Sequence, residues 1–161
     1  MSKLKVRDLM TTQVVTLQPT DTIKKATIKF AVDNISGAPV VDGRNHLLGI
    51  VSENDILQLI YSRQIMLDKE NTGAVMLSYS MDSDENGADG LQRISDEISN
   101  MEVGSIMVRT VLTTSPDAPV MEVLKSMIEM GVNRLPVVEK GVVIGVISRA
   151  DIVFALYKKK V

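Results

Sequence analysis

The sequence contains no cysteine and no tryptophan among its 161 residues, and aromatic side chains make up only 3% of it. The absence of cysteine excludes disulfide bonds and thiolate metal sites, and it suits a reducing cytoplasm. With so few aromatic rings the core must be aliphatic, filled by valine, isoleucine, leucine and some of the ten methionines. His46 is the one histidine, so neither a zinc site nor a histidine-based catalytic triad can be assembled.

The sequence also lacks a strong charge of one sign and any long apolar run. A net charge of -2 gives no broad basic field, which argues against a nucleic-acid groove. The apolar runs are short and interrupted by charge, and the first residues are charged, so we expect neither a membrane span nor a signal peptide. Apolar residues nevertheless make up 45% of the chain, which is enough for a folded core in a cytoplasmic protein.

An internal repeat organises the chain. Residues 6–39 align with residues 103–136 at a constant offset of 97, and after one dropped residue the offset becomes 96. Two copies favour a pseudo-two-fold pair with a shared buried face, whereas a solenoid needs at least three units. The identical pairs include Met10/Met107, Val14/Val111, Thr16/Thr113, Pro19/Pro116, Pro39/Pro136, Gly49/Gly145, Ser52/Ser148, Asp55/Asp151 and Tyr61/Tyr157.

Each copy has the pattern of a β-α-β-β-α unit, so the predicted fold class is α/β (α+β), with helices packed on a mixed sheet. Proline-containing and glycine-containing turns separate the predicted elements. In the first copy we predict a strand at Val14–Thr16, a helix at Thr22–Asn34, strands at Ala38–Val41 and Leu47–Ser52, and a helix from Glu53. In the second copy the same elements fall at Val111–Thr113, Pro119–Met130, Leu135–Glu139, Val142–Ser148 and from Arg149.

An insert separates the copies, so we divide the chain into repeat 1 (residues 1–61), an insert (62–102) and repeat 2 (103–161). We expect the last helix of repeat 1 to continue into the insert. The stretch Ala74–Met81 is predicted to be a strand or an ordered loop, and Asp82–Gly90 an acidic, mobile loop. Apolar residues at helical spacing, from Leu91 to Met101, predict a helix that leads into repeat 2.

Two segments in each copy resemble the CBS (cystathionine-β-synthase) domain family. They are Gly37-Ala38-Pro39-Val40-Val41 with Gly49-Ile50-Val51-Ser52-Glu53-Asn54-Asp55, and Arg134-Leu135-Pro136-Val137-Val138 with Gly145-Val146-Ile147-Ser148-Arg149-Ala150-Asp151. The resemblance covers nearly the whole chain except the insert, and its strength lies in the ordered tandem repetition. It implies a stand-alone pair of CBS repeats of the prokaryotic type, in which each cleft between repeats can hold an adenosine-containing ligand.

The resemblance assigns ribose binding to Asp55 and Asp151, since a carboxylate accepts hydrogen bonds from two adjacent hydroxyls. Ser52 and Ser148 fall where a strand ends and a helix begins, so each can cap that helix or meet a phosphate beside the helix amides. A purely structural alternative stays open, in which serine and aspartate together stabilise the first helical turn.

Arg134 is the basic residue that the resemblance places closest to a phosphate, because a guanidinium suits bidentate phosphate binding. The matching residue in repeat 1 is Gly37, so the two clefts are not equivalent. An exposed surface ion pair is the alternative for Arg134, and Arg149 is a second phosphate candidate that could equally face solvent. The resemblance also places Thr16 and Thr113 near the adenine, and it places the backbone of Ile35, Ser36, Val132 and Asn133 along the edge of the base. For the two threonines, an ordinary preference for strands is the alternative.

The expected function is allosteric sensing: an adenosine ligand (AMP, ADP, ATP or S-adenosylmethionine) binds between the repeats of a homodimer, and a partner protein responds to the changed packing. No cofactor is required. A ligand-free dimerisation or docking adaptor is the alternative, and the sequence offers no catalytic pair that would indicate an enzyme.

Asp82-x-Asp84-x-Asn86-Gly87 resembles the start of a calcium loop, but Arg93 occupies the position where such a loop needs glutamate.

Overall fold

The computed structural model describes residues 4–75 and 83–158. Within these residues, repeat 1 and the insert contain α1 (Val6–Leu9), α2 (Ile23–Asp33), β1 (Gly37–Val41), β2 (Leu47–Ser52), α3 (Glu53–Val75) and α4 (Ser83–Asn100). Repeat 2 contains a 3₁₀ turn (Val103–Ser105), α5 (Val120–Met130), β3 (Arg134–Glu139), β4 (Val142–Ser148) and α6 (Arg149–Lys158). The mixture of helices and strands and the two-repeat organisation confirm the predicted fold class.

The sheets are two antiparallel hairpins, one in each repeat. β1 pairs with β2, and β3 pairs with β4, with a register shift after the fourth residue of β1 and of β3. The turns that close them use left-handed backbone at Asn45 (φ 65°), Lys140 (φ 52°) and Gly141 (φ 81°). The bounds of these four strands agree with the predicted bounds to within one residue at each end.

The predicted first strand of each repeat does not form. Instead, Leu17 makes one parallel bridge to β1, donating to the carbonyl of Pro39 (2.9 Å) and accepting from Val41 (2.8 Å). Thr114 makes the equivalent bridge to β3. A longer parallel ladder would need a hydrogen bond from the amide of residue 39 or 136, and both residues are prolines without an N–H. The strand predictions at Val14–Thr16 and Val111–Thr113 are therefore wrong for a local physical reason.

The helices α2 and α5 begin and end where capping chemistry places them. The Thr22 side chain accepts a hydrogen bond from the Lys25 amide at the start of α2 (3.2 Å). Each helix ends on a left-handed residue, Asn34 (φ 52°) and Gly131 (φ 66°). Helical spacing predicted two apolar faces, and most of their residues are buried or half-buried: Ile23, Ala26 and Phe30 in α2, with Val120, Val123, Leu124 and Met127 in α5. The prediction is wrong for Thr27, Ala31 and Ile128, which are exposed.

The segment that precedes each repeat packs against the other repeat. The amide of Val6 donates to the carbonyl of Ala118 (3.0 Å), and Val6 is fully buried in the core of repeat 2. The amide of Val103 donates to the carbonyl of Asp21 (2.8 Å), and Val103 is fully buried in the core of repeat 1. We call residues 4–11 and 101–108 the exchanged segments, because each leaves its own repeat and completes the other.

An exposed ion pair accompanies the first exchanged segment. Arg7 binds Asp117 of repeat 2 through Nη2 at 2.7 Å, and Lys5 lies 3.4 Å from the same carboxylate oxygen. The hydrogen bond from Arg7, supported by its charge and by that of Lys5, lowers the pKa of Asp117. The ion pair therefore remains charged at neutral pH, although its exposure limits its contribution to stability.

Both helices that were expected in the insert form, and they extend into part of the stretch that was expected to be a loop. Ala74 and Val75 are the last residues of α3, and α4 begins at Ser83, so the predicted acidic loop is helical from residue 83 onward. Farther along, Ile94 and Ile98 anchor α4 in the core of repeat 1. The remaining part of the two loop predictions, residues 76–82, lies outside the described residues.

Two glycines permit the exchanged segments to approach the hairpins closely. A Cβ atom on Gly145 would lie 2.8 Å from the sulfur of Met10 and 3.0 Å from the carbonyl oxygen of Thr11. A Cβ atom on Gly49 would lie 2.8 Å from the carbonyl oxygen of Val108. A Cβ atom at either glycine would therefore have to push away a backbone carbonyl oxygen, that of Thr11 or that of Val108. No helix among residues 4–75 and 83–158 is long and apolar enough to cross a membrane.

We expect Gly145→Ala to lower the free energy of unfolding by about 2 kcal/mol, because the added methyl group must displace the first exchanged segment. Chemical denaturation measures this change, and hydrogen exchange at Thr11 should accelerate in the variant. Gly43→Ala is the matched control, since a Cβ atom there would meet nothing within 4 Å. Equal stability of the two variants would show that the close approach at Gly145 is unimportant.

Candidate functional site

A cavity of about 190 Å³ lies between the two repeats. Repeat 1 contributes the chain that follows the first exchanged segment and the start of β1, and repeat 2 contributes β3, β4 and the beginning of α6. Its walls are mostly apolar, with one guanidinium and one carboxylate among them. The lining residues are Thr11, Gln13, Val14, Val15, Ile35, Gly37, Pro39, Ile50, Arg134, Pro136, Val146, Ser148 and Asp151.

The exchanged segments create this cavity by joining each hairpin to the opposite repeat. Thr11 pairs with Val146 of β4 through two hydrogen bonds of 2.9 and 3.0 Å. Val108 pairs with Ile50 of β2 in the same way, with two hydrogen bonds of 2.9 Å. Chain that leaves Thr11 must then pass along the face of repeat 2 before it returns to its own core at Leu17. The cavity is the space that this crossing leaves.

The pseudo-two-fold axis passes beside the cavity, because residues related by the repeat touch each other there. Arg134 hydrogen-bonds to Gly37, which is its own counterpart in repeat 1. His46 pairs with its counterpart Val142, where the two hairpin turns meet in an antiparallel bridge. Close to this axis, a side chain of one repeat can therefore contact its own counterpart in the other repeat.

Arg134 of repeat 2 donates two hydrogen bonds to residues of repeat 1. Its Nη2 binds the hydroxyl oxygen of Ser36 at 2.8 Å, and its Nη1 binds the carbonyl oxygen of Gly37 at 3.2 Å. No carboxylate accepts from Arg134 in the part of the chain that the structure describes. The ion pair considered as the alternative is therefore not formed within residues 4–75 and 83–158, and the guanidinium carries its charge at the cavity wall.

Asp151 joins Ser148 in a capping box at the start of α6. Its Oδ2 accepts from the Ser148 amide (2.8 Å) and hydroxyl (2.9 Å), and the Asp151 amide donates back to the hydroxyl oxygen (3.2 Å). Ser52 and Asp55 make the same three contacts at the start of α3. The structural role considered for these residues is thus realised. It uses only Oδ2, and Oδ1 has no hydrogen bond within residues 4–75 and 83–158.

The other residues predicted to bind ligand divide between the cavity and its surroundings. Ile35 lines the cavity, and Ser36 lies beside it as the acceptor for Arg134. Thr16 is outside the lining, and its carbonyl accepts from Lys29. Thr113 is exposed and also outside the lining. The lining does not include Ser52, Asp55, Val132 or Asn133. The first three are the counterparts in the repeat of lining residues, namely Ser148, Asp151 and Ile35.

Arg149 does not enter the cavity. Its Nε donates to the carbonyl of Val132 (3.1 Å) and its Nη2 to the carbonyl of Met127 (3.3 Å), both at the C-terminal end of α5. A positive charge is favoured at this end of a helix by the helix dipole, although the Met127 carbonyl already accepts from the amides of Gly131 and Val132. Arg149 is exposed, as the alternative to a phosphate contact had it, and its guanidinium in addition contacts the end of α5.

Sequence reasoning predicted four of the 13 lining residues and missed nine. Four of the missed residues, Thr11, Gln13, Val14 and Val15, lie in one segment of repeat 1. Within its own repeat this segment has no reason to approach Asp151. It does so because the exchanged segment crosses to repeat 2, and such a crossing leaves no signal in local periodicity. A metal site is not indicated by the described residues, since no cluster of three or more histidine, aspartate or glutamate side chains occurs among them.

A family model described as CBS domain matches the chain twice, over residues 6–62 and 103–158. An uncharacterized protein of Methanocaldococcus jannaschii is 29% identical over 158 residues, which covers 94% of this chain and 90% of that protein. The matched ranges include every element described above except α4 and the part of α3 beyond residue 62.

Two solved structures show the same fold. One is CBSX2 of Arabidopsis thaliana in complex with AMP, with a TM-score of 0.71, 24% identity and coverage of 98% of both chains. The other is the CBS domain pair of protein MJ0100 in complex with 5′-methylthioadenosine and S-adenosyl-L-methionine. Its TM-score is 0.65 at 20% identity, and the match covers 97% of this chain and 98% of that one.

We expect Ser148→Ala to lower the free energy of unfolding by about 1 kcal/mol, because it removes two of the three contacts in the capping box of α6. Thermal or chemical denaturation without ligand measures the loss. Ser62→Ala is the control: this exposed serine lies inside α3 and binds only the carbonyl of Leu59. If Ser148→Ala costs no more than Ser62→Ala, the capping contacts do not stabilise the fold.

Proposed function

Because the chain belongs to the CBS domain family, with one repeat matched in each half, we propose that it is a regulatory module that binds an adenosine-containing ligand and has no catalysis of its own. The observation that carries the proposal is the cavity between the repeats, where Arg134 and Asp151 lie in one mostly apolar wall. AMP, 5′-methylthioadenosine and S-adenosyl-L-methionine in complexes of two proteins with this fold support the ligand class.

The chemistry of the lining suits the parts of such a ligand. Asp151 retains one carboxylate oxygen outside the capping box, and two adjacent ribose hydroxyls can donate to it. The guanidinium of Arg134 suits a phosphate, which accepts two parallel N–H bonds. Val14, Val15 and Ile35 offer aliphatic contact to the flat faces of a base, and backbone groups there can hydrogen-bond to its edge. The ligand thereby touches both repeats at once.

Contact with both repeats is the basis for regulation. A ligand that prefers one relative packing of the repeats shifts the population toward it, by an amount set by its differential affinity. We propose that a homodimer presents this change to a partner protein in the cytoplasm. Exposed apolar side chains on the helices of both repeats support dimerisation, among them Ile28, Val32, Leu57, Ile128, Phe154 and Tyr157.

A ligand-free adaptor is the second candidate, and one observation favours it. Arg134 and Asp151 already have hydrogen-bond partners within the protein, so neither needs a ligand to be satisfied. In that case the exposed apolar helices would be the functional surface, and the cavity would be a by-product of the exchanged segments. The two candidates differ in whether adenosine compounds bind at all.

We expect AMP or a related adenosine compound to raise the melting temperature. A ligand that binds only the folded protein stabilises it by about 2.7 kcal/mol at a concentration one hundred times its Kd. A thermal-shift series of adenine and guanine nucleotides, supported by native mass spectrometry of the freshly purified protein, measures this. If no adenosine compound shifts the transition at millimolar concentration, the adaptor is the correct description.

We also expect Asp151→Ala to weaken AMP binding at least tenfold more than Asp55→Ala, because the cavity with Arg134 contains Asp151 and not Asp55. The two variants control for each other, since each loses the same capping contacts. Isothermal titration calorimetry on both, after their stabilities have been matched by temperature, decides the point. Equal losses would mean that Arg134 does not make the two clefts different.

A further inference from the structure

Ser36 accepts the shorter of the two hydrogen bonds that Arg134 donates. The Nη2 to Oγ distance is 2.8 Å, and the guanidinium reaches this hydroxyl from the opposite repeat. The second bond, from Nη1 to the Gly37 carbonyl, is longer at 3.2 Å. The serine hydroxyl is therefore the stronger of the two contacts that hold the Arg134 side chain before any ligand arrives.

The backbone around Ser36 is fixed, so its hydroxyl stays close to Arg134. The carbonyl of Ser36 accepts from the amide of Glu53 at 2.8 Å, which joins the start of β1 to the start of α3. A Cβ atom on Gly37 would lie 3.0 Å from the carbonyl oxygen of Val51, so this position stays without a side chain. Arg134 reaches the Gly37 carbonyl oxygen through Nη1, and this contact brings its Nη2 to the Ser36 hydroxyl.

We propose that Ser36 is a specificity-determining residue that weakens the binding of phosphorylated ligands. In this proposal the phosphate binds the edge of the guanidinium formed by Nη1 and Nη2, which already donate to Gly37 and Ser36. A phosphate that binds this edge through both nitrogens must displace the serine hydroxyl. An unphosphorylated nucleoside leaves that bond intact. This inference rests on the proposed function, because it assigns a selectivity to the same cavity. Ser36 thereby narrows the difference in affinity between AMP and adenosine.

Isothermal titration calorimetry with AMP and with adenosine tests this selectivity. In Ser36→Ala, AMP should bind about fivefold more tightly, because one competing hydrogen bond with a net value of about 1 kcal/mol is absent. The affinity for adenosine should change less than twofold. Ser36→Thr retains the hydroxyl and should restore the affinity for AMP to that of the unsubstituted protein.

A double-mutant cycle separates competition for Arg134 from a change in local packing. Arg134→Met removes every donor and keeps a long side chain, so AMP binding should weaken toward that of adenosine. In this background Ser36→Ala should have no further effect, because the bond that it removes no longer exists. Denaturation of each variant without ligand confirms that the protein folds.

Each other result would overturn the role of Ser36. Weaker AMP binding in Ser36→Ala would make the hydroxyl part of the phosphate site instead of its competitor. An equal gain for adenosine, or a gain that persists beside Arg134→Met, would assign the effect to packing. Unchanged AMP affinity in a protein that binds AMP would remove the role of Ser36 alone. If the unsubstituted protein binds neither compound, the proposed function fails together with it.

Discussion

The exchanged segments are the constraint on which the rest of the structure depends. Val6 is buried in repeat 2 and Val103 in repeat 1, so neither repeat has a complete core without the segment that precedes the other. The same crossings pair Thr11 with Val146 and Val108 with Ile50, which fixes the two hairpins relative to each other. Glycine at positions 49 and 145 is required because these pairings bring main chain within 3 Å of where a Cβ atom would be.

The cavity and its asymmetry follow from that geometry. The exchange places the pseudo-two-fold axis between counterpart residues, and two long side chains cannot occupy one position on an axis. Arg134 donates to the carbonyl of its counterpart Gly37, which has no side chain, so only one basic group occurs at this pair of positions. A repeat that is nearly symmetric in its backbone thus becomes asymmetric in its charge. The bond from Arg134 to Ser36 also joins the repeats at the point where a ligand would contact both.

Much of the fold could be predicted from the sequence because the repeat aligned two copies of each signal. The hairpins and the helices α2 and α5 followed from alternating and helical apolar spacing, with Asn34 and Gly131 marking the helix ends. The prediction of a strand at Val14–Thr16 was wrong because its pairing partner in β1 contains Pro39, which has no N–H to donate. That partner is distant in sequence, so local periodicity does not reveal it. The acidic start of α4 was taken for a loop, since its helical stability depends partly on Ile94 and Ile98, farther along the chain.

The site was predictable only in part. Arg134 and Asp151 came from a motif, whereas Gln13 and Val15 reach the cavity through a crossing that local sequence does not encode.

A crystal structure of the protein grown with AMP tests the central claim most directly, because it locates the ligand without reference to stability. The account predicts AMP in the cavity between the repeats, with its ribose hydroxyls on the free carboxylate oxygen of Asp151. The phosphate should lie on Arg134, whose Nη2 should have left Ser36. AMP bound elsewhere on the surface, or a cavity without AMP in crystals grown at a saturating concentration, would contradict the account.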